Sequence, residues 1–395
     1  MAPGSFATHE VGNQSPPFQD LNLFLADAAL QEAVAREGTA GSDDGLAAFG
    51  AAAGSAEAFE LGRLANDNPP KLRRFDQKGF PLDIVEFHPA YHEVMRRSFR
   101  AGLHSLAWEH LEHGGSAAPA GAQVARLARL YMTTQTEPGH LCPVTMTHAA
   151  VPALLKQPDL AQTLLPKLLP RDYDERFRPH AEKTGMTVGM GMTEKQGGTD
   201  VRANTTTAQP AGAGGPGQEY ILVGHKWFLS APMCDAFLML AQAPGGLSCF
   251  FVPRFLPDGS VNPLRLQRLK EKLGNRSNAS SEVELQGVQA WLVGEEGRGI
   301  ATIIEMVTLT RLDCAVASAG QMRLALALAL HHCRHRRVFQ KQLVDQPLMA
   351  AVLADMALDV EAATALAFRL AGAFDRAAGD EREAAWRRLM TPVTK

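Results

Sequence analysis

Cysteine is scarce in this chain of 395 residues, and the few present exclude two classes of protein. Cys142, Cys234, Cys249, Cys314 and Cys333 are odd in number, widely spaced and without a CxxC pair. Neither a disulfide framework nor a zinc knuckle is built that way, so the pattern predicts reduced, buried thiols in a cytoplasmic protein. Long apolar runs are missing too. None reaches about 18 uncharged residues, which argues against a membrane span. The start, Met1-Ala2-Pro3-Gly4, has no basic n-region or apolar h-region, so no secretory signal is expected. Nor is there a surplus of positive charge: 39 Lys and Arg stand against 42 Asp and Glu, a net charge of −3. That balance removes any global attraction to nucleic acid or an anionic membrane and leaves only local basic surface. A Gly-x-Ser-x-Gly elbow, an EF-hand loop and a fixed-period repeat are all absent, so a serine hydrolase or calcium protein has no sequence support.

What remains is ordinary soluble composition, 46% hydrophobic and 21% charged, at a length suited to two or three domains. Residues 1–22 are polar with Pro and Gly and read as an extended arm. From Asn22 to about Leu169, Ala, Leu and Glu recur at helical spacing in 25–36, 46–66, 89–113 and 122–136. Breaks fall at Asn68-Pro69-Pro70, at the loop from Gly114 through Ser116 and Ala117 to Pro119, and at Gln157-Pro158-Asp159. Near Thr184 the pattern changes to short apolar segments of strand length: 186–192, 219–229, 236–242, 247–252, 281–286 and 288–293. Helix returns over 300–337, from Pro347 to Ala378, and again from near Asp380. The reading is an α+β multidomain chain: an arm (1–22), an N-terminal helical domain (23–183), a middle antiparallel β domain (184–294) and a C-terminal helical bundle (295–395).

Two segments carry chemistry. Met190-Gly191-Met192-Thr193-Glu194-Lys195-Gln196-Gly197-Gly198-Thr199-Asp200 sets two glycines between hydroxyl residues and a carboxylate. The glycines let backbone approach a ligand, and the threonines add hydroxyls beside free amides. The loop suits a polar, phosphate-bearing cofactor, though Gly-Gly also punctuates plain turns, and it follows neither the P-loop nor the GxGxxG pattern. Gly224-His225-Lys226-Trp227-Phe228-Leu229-Ser230 ends a strand with aromatics and a hydroxyl. It either walls a planar redox ring or packs into the core. His331 and His335 lie four apart without a third ligand, so no metal is expected. The run Arg334-His335-Arg336-Arg337 meets a phosphate or is a solvated helix end.

Together these segments resemble the acyl-CoA dehydrogenase flavoproteins, and within them the AidB-like branch linked to the adaptive response to DNA alkylation. The likeness covers nearly the whole chain. It is carried by Leu61–Asn66, Leu141–Thr147, Met190–Asp200, Val223–Phe228, Gly246–Gly259 and Lys272–Ser280. It implies a non-covalent FAD between the β domain and the C-terminal helices. Met190, Gly191, Met192, Thr193, Glu194, Lys195, Gln196, Gly197, Gly198 and Thr199 then match the loop at the isoalloxazine edge and pyrophosphate. Thr193 matches the hydroxyl directed at the flavin pyrimidine, and Thr199 stands where a serine is usual. Ser230 matches the hydroxyl near N5, with Phe228 and Leu229 as the neighbouring wall. The wider family has Trp in place of Phe228, and here Trp227 lies one position earlier. Arg336 and Phe339 resemble an Arg-x-x-Phe whose arginine reaches the FAD of a neighbouring subunit, implying a homotetramer; Gln340 replaces the customary Gly.

The family reaction removes an acyl-CoA α-proton with a carboxylate while the flavin takes the β-hydride, so it needs a base of suitable pKa. Most members supply a glutamate from a late loop. A minority supply it from the long helix before an arginine, where this chain has Thr310 before Arg311. Asp313 and Glu305 are nearby carboxylates. The resembling proteins continue beyond the position of Lys395, so the expectation is a C-terminally truncated, weak or inactive dehydrogenase. The alternative is a DNA-associated alkylation-response protein with a mainly structural FAD, DNA being held through a segment missing here. A truncation that folds poorly, its helices short of partners, is a third reading.

Overall fold

A computed structural model describes residues 8–115 and 118–395. The first seven residues of the expected arm, and Ser116 and Ala117 of the expected loop break, lie outside the described residues. The N-terminal part holds α1 (Ala28–Glu37), α2 (Leu46–Ala53), α3 (Ala56–Asp67), a hairpin of β1 (Lys71–Phe75) and β2 (Pro81–Glu86), then α4 (Pro89–Arg100), α5 (Ala122–Thr133), α6 (Leu141–Leu154) and α7 (Pro158–Leu168). Caps mark several starts: Asp27 accepts from Leu30 N, and Ser55 accepts from Ala58 N. The helix read over 89–113 stops at Arg100, because Gly102 takes φ +72° and turns follow. The β1–β2 hairpin sits in a stretch read as helical.

The middle part contains β3 (Val188–Gly191), β4 (Thr207–Pro210), β5 (Glu219–Ser230), β6 (Ala236–Ala243), β7 (Gly246–Pro253), β8 (Leu264–Leu269) and β9 (Ser280–Leu292). Pairings run β5–β4, β4–β6, β6–β7, β7–β9 and back from β9 to β5, so the sheet closes on itself, with β8 outside β9. Most pairs are antiparallel, but β3 and β4 run parallel to β6, which makes the sheet mixed. The two expected segments 281–286 and 288–293 form one strand. Gly287, at φ +79°, is the extra residue where the register with β5 shifts, a bulge that a side chain would strain.

The C-terminal part is α8 (Gly299–His335), a two-residue hairpin of β10 (Arg337–Val338) and β11 (Lys341–Gln342), α9 (Pro347–Arg376) and α10 (Glu381–Thr394). Proline-free, α8 runs 37 residues and joins two cores. Its first turns, through Ile303, Met306 and Leu309, join the core of the sheet; Leu312, Val316 and Ala319 join a second core that residues of α1, α4, α5, α6 and α9 also build. The crossing over α5 is close, since a Cβ on Gly320 would come within 2.5 Å of Tyr131 O. Large apolar side chains stay exposed on α8 and α9, among them Leu328, Leu348, Val352 and Leu358.

Cys142, Cys234, Cys249 and Cys333 are buried or half-buried free thiols, whereas Cys314 is exposed on α8. No helix among the described residues is long and apolar enough to cross a membrane.

Candidate functional site

The two chemistry-bearing segments meet where β3 pairs with the end of β5. In the β3–β5 register Met190 stands opposite Ser230, and Gly191 opposite Leu229. Beyond β3 the chain folds into a tight turn in which Glu194 and Gly197 exchange backbone hydrogen bonds. Contacts to β5 and to Asn204, just before β4, hold this turn in place. Trp227 N donates to Thr193 O at 2.8 Å, Lys195 N donates to His225 Nε2 at 3.0 Å, and Asn204 Nδ2 donates to Met192 O at 2.9 Å.

Glu194 is the internal anchor of the loop. Its Oε1 accepts from Lys226 Nζ at 2.8 Å and Thr206 N at 3.1 Å; its Oε2 accepts from Thr205 N, Thr205 Oγ1 and Gln196 Nε2. Neither Glu194 nor Lys226 has an exposed side chain. Burial pushes the Glu194 carboxyl up, but the Lys226 ammonium and the Thr206 contact outweigh it and hold the carboxyl well below its usual range. Burial also lowers the Lys226 ammonium, opposed by Glu194. The Glu194 carboxylate is therefore fully engaged within the protein. Lys226, Thr205 and Thr206 were not singled out from sequence, although Lys226 lies inside a motif that was.

The other expected residues divide by orientation. Leu229 is fully buried in the sheet core, so its side chain is not a wall for a ligand. Phe228 is 45% exposed beside Ser230. Lys195, Gln196, Gly197, Gly198 and Thr199 are exposed, with Thr193 half-buried. Among the described residues the amides of Gln196, Gly198 and Thr199 and the hydroxyls of Thr193, Thr199 and Ser230 have no partner. Gly198 is needed at close quarters: a Cβ there would lie 2.4 Å from Thr193 Oγ1. The result is an exposed cradle of free donors beside an apolar ring, which fits a flavin with its pyrophosphate.

Lys270, on the chain leaving β8, faces the aromatic pair, its Nζ 3.4 Å from the Trp227 ring centroid and 4.8 Å from that of Phe228. It also lines a cleft of about 650 Å³ with Lys272, Arg276, Asn278 and Pro70. The cleft adjoins the cradle, since Ser280 pairs with Ser230 and Ala231 N donates to Ala279 O.

Arg336 is not brought to this loop. At the C-terminal end of α8 it donates to Asn13 O at 2.8 Å, while the other end of α8, at Gly299, packs on Ser248 of β7. Arg334 and Arg337 are exposed there. His331 and His335 bond to Pro16 O and His331 O, and no group of three or more His, Cys, Asp or Glu is placed to hold a metal among the described residues. Thr310 donates to Val307 O at 2.9 Å. Asp313 is buried in an ion pair with Arg126 and accepts from Thr145 Oγ1 at 2.7 Å, so it does not serve as a free base. Glu305 is half-buried.

Comparison with known proteins gives three family matches in chain order. They are the adaptive response protein AidB N-terminal domain over residues 13–175, the acyl-CoA dehydrogenase middle domain over 189–288 and the acyl-CoA dehydrogenase C-terminal domain over 297–394. The chain is 53% identical to Escherichia coli (strain K12) AidB over 98% of its own length and 70% of that protein. It is 31% identical to Caenorhabditis elegans acyl-CoA dehydrogenase family member 11, over 86% of this chain and 55% of that protein. Among solved structures, C. elegans ACDH-11 in complex with C11-CoA superposes with a TM-score of 0.87 at 28% identity, covering 99% of this chain and 67% of that one.

Proposed function

The chain belongs to the acyl-CoA dehydrogenase family, and from that membership we propose that it is an AidB-like FAD-binding oxidoreductase that α,β-dehydrogenates an acyl-CoA thioester. The observation that carries the reading is the Met190–Ser230 register, which joins the glycine loop with its free donors to the strand end that bears the exposed Phe228. Thr193, Thr199 and the amides around Gly198 hold the cofactor's polar parts, and Phe228 and Ser230 lie along its ring. FAD, when bound, supplies the hydride acceptor. The cleft sets Lys270, Lys272 and Arg276 beside Glu271, and with Lys270 paired to Glu282 and Lys272 bonded to Asn278 O, the Arg276 guanidinium is the cation left for the phosphates of a CoA thioester. The exposed apolar faces of α8 and α9 suit a homo-oligomer, with Arg336 available to a neighbouring subunit. The domain bounds follow as 23–183, 184–294 and 295–395.

Neither Thr310 nor Asp313 is suited to proton abstraction. The Thr310 hydroxyl is too weak an acid for its alkoxide to act as base at neutral pH, and Asp313 is held by Arg126. The expected behaviour of the 395-residue chain is therefore flavin binding with little turnover. The test is purification followed by the visible flavin spectrum, mass identification of the released cofactor, and anaerobic bleaching by a short branched acyl-CoA. Colourless soluble protein that takes up no added FAD sinks the reading.

A second reading, a DNA-associated alkylation-response protein in which FAD is mainly structural, draws on the exposed Arg334 and Arg337. Salt-dependent binding of duplex DNA that Arg334→Ala and Arg337→Ala together weaken is its measurement; salt-independent or absent binding removes it.

A further inference from the structure

Three buried polar residues line up between α4 and the start of α6. Ser98 Oγ lies 2.7 Å from His140 Nε2, and His140 Nδ1 lies 2.7 Å from Glu137 Oε2. Ser98, His140 and Glu137 are 3%, 1% and 2% exposed. The proton inventory follows from the geometry. Glu137 accepts from Gly139 N, His140 N and Ser277 Oγ as well as His140, and although burial pushes its carboxyl up, these donors hold it below its usual value. An ionised carboxylate only accepts, so His140 Nδ1 carries the proton. With Nδ1 as the donor, the neutral tautomer leaves Nε2 to accept from the Ser98 hydroxyl. A nucleophile bonded to a base, itself oriented by a carboxylate, is the constellation of acyl-transfer sites, which is recognised by geometry and not by chain order.

The three residues also line a cavity of about 360 Å³ whose other walls are largely apolar, with Phe49, Leu61 and Val94 among them and Thr133 and Thr136 as the neutral polar residues. Two cations border it. Arg97 is paired with Glu57 and Glu93, whereas exposed Arg100 has no carboxylate partner among the described residues.

We propose that Ser98, His140 and Glu137 form a second active site, which hydrolyses small esters or thioesters whose aliphatic acyl chain occupies this cavity. Ser98 Oγ bonds to the acyl carbon as the carbonyl electron pair moves to oxygen, and the Ser98 proton passes to His140 Nε2. The oxyanion forms in a cavity that the Arg100 cation borders. Collapse breaks the C–O or C–S bond, and the leaving alcohol or thiol takes the proton from His140. Water, deprotonated by His140, then attacks the acyl-Ser98 ester; the carboxylic acid leaves and Ser98 regains its proton. No oxidant or flavin is involved, so this chemistry stands apart from the reading above.

The test is incubation of the whole chain with a fluorophosphonate, followed by peptide mass mapping, together with hydrolysis of p-nitrophenyl butanoate. One adduct per chain on Ser98 is expected. Ester turnover should vanish in Ser98→Ala, with flavin content unchanged, and fall about 10²-fold in Glu137→Gln. No adduct on Ser98 at millimolar probe, or turnover that survives Ser98→Ala, overturns the proposal. Should a variant fail to fold, the wild-type adduct map alone decides.

Discussion

Glu194 Oε1 and Lys226 Nζ lie 2.8 Å apart with neither side chain exposed to solvent, and this pair fastens the glycine loop to β5. Lys226 also donates to Leu240 O at 2.7 Å, so one ammonium ties the loop to two strands.

Removing one partner leaves a buried charge without compensation. Lys226→Met is expected to destabilise the protein by about 3–5 kcal/mol in urea unfolding. The double variant Glu194→Leu/Lys226→Met should lose less than Lys226→Met alone. A double variant as unstable as the sum of the two single changes would refute the coupling.

The same pair sets an acid limit. The folded Glu194 carboxyl sits below its ordinary value of 4.5, so its contribution is present above about that pH and is lost as pH falls through the folded value. Unfolding free energy of the wild type should therefore drop more steeply below pH 4.5 than that of Glu194→Gln. Parallel curves would assign the acid sensitivity elsewhere.

Gly198 bears on the cofactor more than on stability. A Cβ there meets Thr193 Oγ1 at 2.4 Å, which forces the hydroxyl aside on an exposed loop. Gly198→Ala is expected to weaken FAD retention at least about tenfold, equivalent to about 1.4 kcal/mol, with the melting midpoint nearly unchanged. Equilibrium dialysis of the flavin and a thermal melt measure the two; unchanged retention would place the cofactor off this loop.

Thr310→Glu supplies a carboxylate at the one position on α8 where the family resemblance allows a base. Anaerobic bleaching by a short acyl-CoA should appear in this variant and be near the detection limit in the wild type. Equal bleaching in both would mean that the base is another group.

Asp313→Asn separates structure from catalysis at the neighbouring carboxylate. It leaves Arg126 buried with a weakened partner and is expected to cost about 3–5 kcal/mol. A fully stable Asp313→Asn protein with altered reactivity would reverse the assignment.

The long apolar segments were legible because their period is local. The unbroken helix from Gly299 and the strands beginning at Glu219, Ala236 and Gly246 agree closely with the structure. Shorter elements escaped. The strands Thr207–Pro210 and Leu264–Leu269 carry too few apolar residues, and Lys71–Phe75 with Pro81–Glu86 lies between helices and alternates weakly. The break at Gly287 reads as two strands in sequence because a bulge and a turn share the same residue type.

By itself the sequence determined the helix–strand–helix order, the glycine loop, the aromatic strand end and the family, all properties of short-range spacing and motif. Tertiary structure decided the roles. It turned Leu229 inward, tied Arg336 to Asn13 and engaged Glu194 with a lysine 32 positions away. It buried Asp313 against an arginine 187 positions distant, and it joined Ser98 to His140 across 42 residues in a chain with no Gly-x-Ser-x-Gly elbow. A side chain's chemistry depends on its desolvation and on which charges and donors surround it, and those neighbours are chosen by packing between distant segments, which residue spacing does not encode.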